Sequence, residues 1–341
     1  MSIIRLDNVV KEFRSPKRHP GLTGAVRTLF TRQYDIKQAV AGISFSLDAG
    51  ELVGYLGENG AGKSTTIKLL TGILVPTSGQ IEVAGLVPWK ARERNTLNIG
   101  VVFGQRSQLW WDLPLIESFR LVAKMYRVER HRYERNLDRF RELLGLDEFL
   151  TVPVRQLSLG QRMRSDLVAA MLYNPRINYL DEPTIGLDVL AKEQVRIFIE
   201  EMNREQGATI VLTTHDLGDF ERLCRRVLLI DRGKLLYDGS LERLQAEYAP
   251  HRLLVVQFVP EAIARAQAEV LGAAPMIDMP GVEIMKQEEG KVWLRFDPTA
   301  TPAPALIASI AARYPISDLA IAEPDLEPVI RQIYAERRVR V

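Results

Sequence analysis

The chain has 341 residues, enough at roughly 150 per domain for two domains or one large domain with an appendage. Lys plus Arg number 45 against 43 Asp plus Glu, so the net charge of +2 prescribes neither nucleic acid nor acidic lipid as the main partner. Hydrophobic residues at 46% and charged residues at 26% exclude disorder of the whole chain.

The one cysteine, Cys224, allows no intrachain disulfide and points to a cytosolic setting. The start, MSIIRLDNVV, lacks the pattern of a signal peptide. The longest uncharged stretch, 298–312, holds three prolines and is too short for a bilayer, which needs about 20 apolar residues.

In chain order, IIRLDNVVKEF and AGISFSLDAGELVGYLG predict strands of an antiparallel edge feeding a buried strand. Between them, 14–37 reads as a basic insertion (Arg14, Lys17, Arg18, Arg27, Arg32, Lys37). Its Leu22, Val26, Leu29, Phe30 and Tyr34 recur at helical spacing and give it one apolar face. Residues 116–150 are helical in character. Then RINYLDEP, a helix near 190–206, ATIVLTTH, a short helix ending near Cys224, RVLLIDRG and KLLYDG alternate in the rhythm of a parallel sheet covered on both faces. Beyond about Tyr248 the order strand, helix, hairpin, helix, strand (βαββαβ) predicts a small ferredoxin-like domain, closed by a helix over LEPVIRQIYAERR. The expected domains are 1–245, with a helical part at about 106–165, and 250–341.

The string Gly57, Glu58, Asn59, Gly60, Ala61, Gly62, Lys63, Ser64, Thr65 fits G-x-x-x-x-G-K-[ST], with an apolar strand before it and a helical pattern after it. Its glycines let backbone amides turn toward phosphates, and the helix start adds positive potential. Lys63 places a point charge on the β- and γ-phosphates, and the Ser64 hydroxyl is suited to magnesium. Farther on, INYLDEP ends an apolar run with Asp181 and Glu182. Carboxylates at the end of a buried strand are costly unless paired, metal-bound or solvated. Beside a phosphate loop they suit magnesium and a hydrolytic water.

These strings, with VVFGQRSQ, LSLGQ, DEPTIGLD and TTHD following in order, resemble the ATP-binding subunits of ABC transporters across roughly residues 1–245. The resemblance implies an α/β P-loop ATPase with an antiparallel β subdomain and a helical subdomain, binding ATP and Mg2+. It implies Gln105 as a magnesium ligand and γ-phosphate sensor, Asp181 as a magnesium ligand, Glu182 as general base and His215 as the switch histidine. Asp188, at the end of DEPTIGLD, joins the nucleotide site. Phe13, ending the first strand, matches the aromatic that stacks on adenine, with Tyr34 as the alternative. In the family two copies sandwich two ATP molecules. Ser158, the Gly160 amide and Gln161 would then face the partner's γ-phosphate, and the chain must pair with itself or a related subunit. Leu159 stands where Gly is commonest and Glu58 where Pro is frequent; neither removes a phosphate donor.

The resemblance also implies a separate transmembrane permease, contacted near Gln105 to Pro114, and a place on the cytoplasmic face of the membrane. Trp110, Trp111 and Leu113 suit an exposed apolar socket there, the alternative being burial in the helical part. The 14–37 insertion would lie against lipid headgroups or the pore entry, or cap the antiparallel edge. WWDLP, the stretch PGLTGAVRTLFTRQYDIKQAVAGISF (20–45) and the C-terminal appendage look like the ATPases of drug, polysaccharide or lipid exporters. The competing reading is a soluble ABC ATPase acting on ribosomes or nucleic acid; no nucleic acid is expected for the exporter.

Overall fold

The computed structural model describes residues 2–16, 34–104, 107–214, 216–248, 251–259, 279–288, 290–322 and 326–339. The chain divides into two compact units, Met1–Leu241 and Glu242–Val341.

In the first unit, β1 (Ser2–Pro16) pairs antiparallel with β2 (Tyr34–Asp48) and β4 (Ser78–Val83) in the order β2-β1-β4. The expected insertion is shorter than 14–37. Arg14, Ser15 and Pro16 stay in β1, opposite Ile36, Asp35 and Tyr34. Phe13 therefore lies inside the strand rather than at its end. Tyr34 sits in an exposed strand, not on a helix face. The rest of the expected amphipathic helix, Leu22 to Phe30, lies outside the described residues.

The larger sheet has the order β5-β6-β7-β3-β8-β9. Its members are β3 (Leu52–Gly57), β5 (Ile99–Phe103), β6 (Ile177–Asp181), β7 (Thr209–Thr213) and β8 (Arg226–Asp231), all parallel, with β9 (Lys234–Ser240) antiparallel at one edge. The inner strands are buried along their length, which explains why their sequences run apolar without alternating. Helix α1 (Lys63–Leu70) follows β3, and α2 (Arg92–Asn98) precedes β5. Between β5 and β6 lie α3 (Leu115–Met125), α4 (Arg130–Leu144) and α5 (Leu159–Met171), the helical part expected from the sequence. Helix α6 (Val189–Gln206) joins β6 to β7, and α7 (Leu217–Leu223) joins β7 to β8. Helices α4 and α6 meet through an edge-to-face pair, Phe140 on Phe198, with ring centroids 5.1 Å apart and both side chains buried.

After α8 (Leu241–Tyr248), the second unit carries β10 (Arg252–Phe258), β11 (Val282–Glu288), β12 (Lys291–Phe296), α9 (Ala303–Ala311), β13 (Ile316–Ala322) and α10 (Leu326–Val339). Its sheet is antiparallel throughout, in the order β11-β12-β10-β13. That is the strand order of the split βαββαβ arrangement. The expected first helix falls in 260–278, outside the described residues. Period-two alternation in β10 and β12 turns Leu254, Val256, Phe258, Val292, Leu294 and Phe296 onto Leu306 and Ile310 of α9. Truncating one of these, as in Leu294→Ala, costs about 2–5 kcal/mol.

Candidate nucleotide-binding site

The carboxyl ends of the parallel strands lie side by side. Phe103 of β5 is in register with Asp181 of β6, Asp181 with Thr213 of β7, and Gly57 of β3 with Ile230 of β8. Loops leaving such an edge are where doubly wound sheets hold ligands.

The loop 58–62 links β3 to α1 in a conformation only its glycines allow. Gly62 has φ 114°, and a Cβ there would fall 2.5 Å from the Ala39 carbonyl oxygen. At Gly57 a Cβ would come within 2.6 Å of the Ile230 carbonyl oxygen. The loop is thus wedged between β2 and β8, and Gly233 N donates to the Ala61 carbonyl at 2.8 Å. No side chain caps the start of α1, so its first-turn amides are offered to a ligand. Lys63, only 8% exposed, folds back on the loop and donates to the carbonyls of Gly57 and Glu58. Burial lowers its ammonium's pKa, and the nearby carboxylates of Glu182 and Asp181 oppose that shift.

Asp181 is held by hydroxyls on both oxygens: Thr213 donates to Oδ1 at 2.5 Å and Ser64 to Oδ2 at 3.2 Å. Two hard oxygen donors converging beside a phosphate loop fit magnesium chemistry. Glu182 has φ 57°, in the left-handed region, and its amide donates to the Thr213 carbonyl at 2.9 Å. The backbone reverses there, directly after β6.

Ser158 is the N-cap of α5. Its Oγ accepts from Gln161 N at 3.2 Å, while Gln161 Oε1 accepts from Ser158 N at 2.9 Å, a reciprocal capping box. Gly160 lies against Leu187, and the half-exposed Leu159 covers Gly186 so closely that a Cβ there would sit 2.7 Å from Leu159 Cδ2. Asp188 caps α6, its Oδ1 accepting from Ala191 N at 2.8 Å. Phe13 is 41% exposed, with Lys11 Nζ 5.3 Å from its ring centre. Trp110 and Trp111 are 37% and 51% exposed, so neither is buried in the helical part. Their segment is tied down by backbone bonds from Arg155 N to the Trp111 carbonyl and from Val154 N to the Leu113 carbonyl. Gln105 and His215 lie outside the described residues.

Sequence reasoning missed the residues that hold this site together. Thr213 was visible only as a polar residue ending an apolar strand. Asp166, buried on α5, accepts from the Ser107 hydroxyl and Gln108 amide at 3.0 Å each, fixing Ser107 and Gln108 to that helix. Desolvation pushes its pKa up to about 6, against the pull of those two donors.

A phosphate loop, an acidic pair at the end of the next-but-one strand and a left-handed turn at the second acid define a P-loop nucleotide-binding domain. The ABC transporter family matches residues 40–185. The ABC transporter ATP-binding protein NatA of Bacillus subtilis is 32% identical over 215 residues, covering 63% of this chain and 87% of that protein. The linearmycin resistance ATP-binding protein LnrL of the same species is 34% identical, covering 61% of this chain and 67% of that protein. The methionine import ATP-binding protein MetN of Latilactobacillus sakei is 28% identical, covering 89% and 87%. Among solved structures, a dimeric bacterial ABC transporter cassette superposes with TM-score 0.57 at 27% identity, covering 70% of this chain and 98% of that one. The chain belongs to the ABC transporter ATP-binding proteins, and its first unit carries an ABC ATPase domain that binds ATP.

Proposed function

We propose that the chain is the energising subunit of an ABC exporter, lying on the cytoplasmic face of the membrane and driving a separate permease. No helix among the described residues is long and apolar enough to cross a bilayer. The observation that carries the reading is the exposed Trp110 and Trp111, in a chain with a P-loop ATPase site, the Trp111 carbonyl being bonded to Arg155 N in the chain leading into Ser158. An exposed aromatic pair on a rigid segment is the kind of anchor that interfaces use. Similarity to a resistance protein adds support for export.

In this reading Lys63 and the amides of 60–65 hold the triphosphate, and Phe13 stacks on the base. Ser64 and Asp181, with Gln105, would hold Mg2+, whose chemistry is to neutralise charge on the phosphates. Glu182 orients and deprotonates water, and His215 contacts the γ-phosphate. Ser158, Gly160 and Gln161 of one copy meet the nucleotide of the other, with Asp188 nearby. Closing that sandwich draws the helical parts together and moves the permease. The second unit would serve dimer contact or regulation. Co-purification of a multispanning protein from detergent-solubilised membranes is the expected result; a purely soluble complex would overturn the reading.

One observation favours import instead: the MetN match extends over 313 residues, well past the ATPase domain. Direction follows from reconstituting the subunit with its permease in vesicles and asking from which side ATP drives cargo.

A further inference from the structure

Asp219, on α7, is 1% exposed, and nothing in the roles above uses it. Its Oδ2 accepts two hydroxyls, Thr184 at 2.6 Å and Thr214 at 3.2 Å. Its Oδ1 accepts Arg196 Nε at 2.6 Å and a second guanidinium nitrogen at 2.5 Å. Thr184 is two residues past Glu182; Thr214 directly follows the last residue of β7. Both threonines are buried.

Holding a charge in such a place is costly, and a well-packed apolar residue commonly stabilises a fold as well as a buried ion pair does. What an apolar residue cannot do is bind two hydroxyls on different loops at once. The Glu182 loop already carries a left-handed residue, and one backbone bond, Glu182 N to the Thr213 carbonyl, joins it to β7. Asp219 adds a side-chain tie on each side of that bond. Arg196 neutralises the carboxylate and leaves Oδ2 to the threonines.

We infer that Asp219 is a positioning residue for ATP hydrolysis, locking the Glu182 loop to the end of β7 through Thr184 and Thr214. The inference rests on Glu182 being the base. A displacement of about 1 Å at a reacting group can cost on the order of 100-fold in rate, so the effect belongs in kcat and not in nucleotide affinity.

The test uses Thr184→Val and Thr214→Val, which remove one hydroxyl each and leave the Asp219–Arg196 pair intact. Steady-state ATPase and melting temperature are measured on the full chain, with Thr→Ser at each site and Glu182→Gln in parallel. The expected result is a fall in kcat of about 10-fold or more, with KM for ATP within about twofold and recovery in the serine variants. The double variant should be no slower than the slower single, because both hydroxyls reach the Glu182 loop through one carboxylate; the Thr214 hydroxyl also accepts from Asp216 N at 3.0 Å, a bond the serine variant keeps. Lower melting temperature with unchanged kcat, or two effects that simply multiply, would overturn the inference while leaving the base assignment intact. Full turnover by Glu182→Gln would instead remove the base assignment itself.

Discussion

The Ser64 hydroxyl donates to Asp181 Oδ2 at 3.2 Å, joining positions 117 residues apart. With Thr213 on the other oxygen, the carboxylate is oriented by neighbours on two different elements. Second contacts of this kind fix a ligand's direction and commonly carry 10- to 100-fold in metal affinity. Ser64→Ala and Asp181→Asn should each raise the magnesium concentration needed for half-maximal ATPase by about 10-fold or more. Titrating Mg2+ at fixed ATP checks this; equal curves for both variants and the parent would exclude the pair as ligands.

Lys63 spends its ammonium on two loop carbonyls, and a triphosphate offers it stronger acceptors. Lys63→Ala should therefore weaken ATP by about 1.5–3 kcal/mol, roughly 10- to 150-fold in Kd. Equilibrium binding of a fluorescent ATP analogue reads this directly, and unchanged affinity would contradict the loop's assignment.

For Glu182→Gln the expected outcome is ATP binding without turnover. Loss of a general base costs about 10²- to 10⁴-fold, so ATP should trap a dimer visible by size-exclusion chromatography. The amide keeps the side chain's size, so the left-handed backbone at this position is no worse served than in the parent.

Asp166 gives a pH signature. Its folded pKa, pushed up to about 6, lies above the ordinary 3.8, so the folded state binds the extra proton between those values. Stability from this group is then present at low pH and lost as pH rises through about 6. Asp166→Asn retains an acceptor for Ser107 and Gln108 without the charge. Relative to the parent, it should gain on the order of 1–3 kcal/mol between pH 4 and pH 8, measured by urea unfolding at both values. A pH-independent difference would refute the shift.

The phosphate loop was legible because its spacing is imposed by backbone contact: Gly57 and Gly62 each abut a carbonyl that any Cβ would strike. The second unit was legible for a different reason, since one-sided burial forces alternation in β10 and β12. The β1–β2 hairpin was read too short because its far end is exposed, and Arg14, Ser15 and Asp35 face no core that would pattern them. The two tryptophans could be read either way, because an apolar side chain looks the same whether it serves a core or a partner. The Thr184–Asp219 and Ser107–Asp166 bonds span 35 and 59 residues, and no local pattern announces a hydroxyl's distant acceptor.

In the proposed ATP sandwich, the reciprocal cap at the start of α5 would give Ser158 two duties in one hydroxyl. Its oxygen anchors the helix, which leaves only its hydrogen for an anion. Alanine there forfeits both, including about 0.5–2 kcal/mol of helix stability. Aspartate separates them: it serves the helix as well as serine does and turns a negative charge toward an incoming triphosphate. A Ser158→Asp chain would fold, load its own nucleotide and refuse its mate's, so mixing it with the parent would tell how many intact sandwiches one working pair requires.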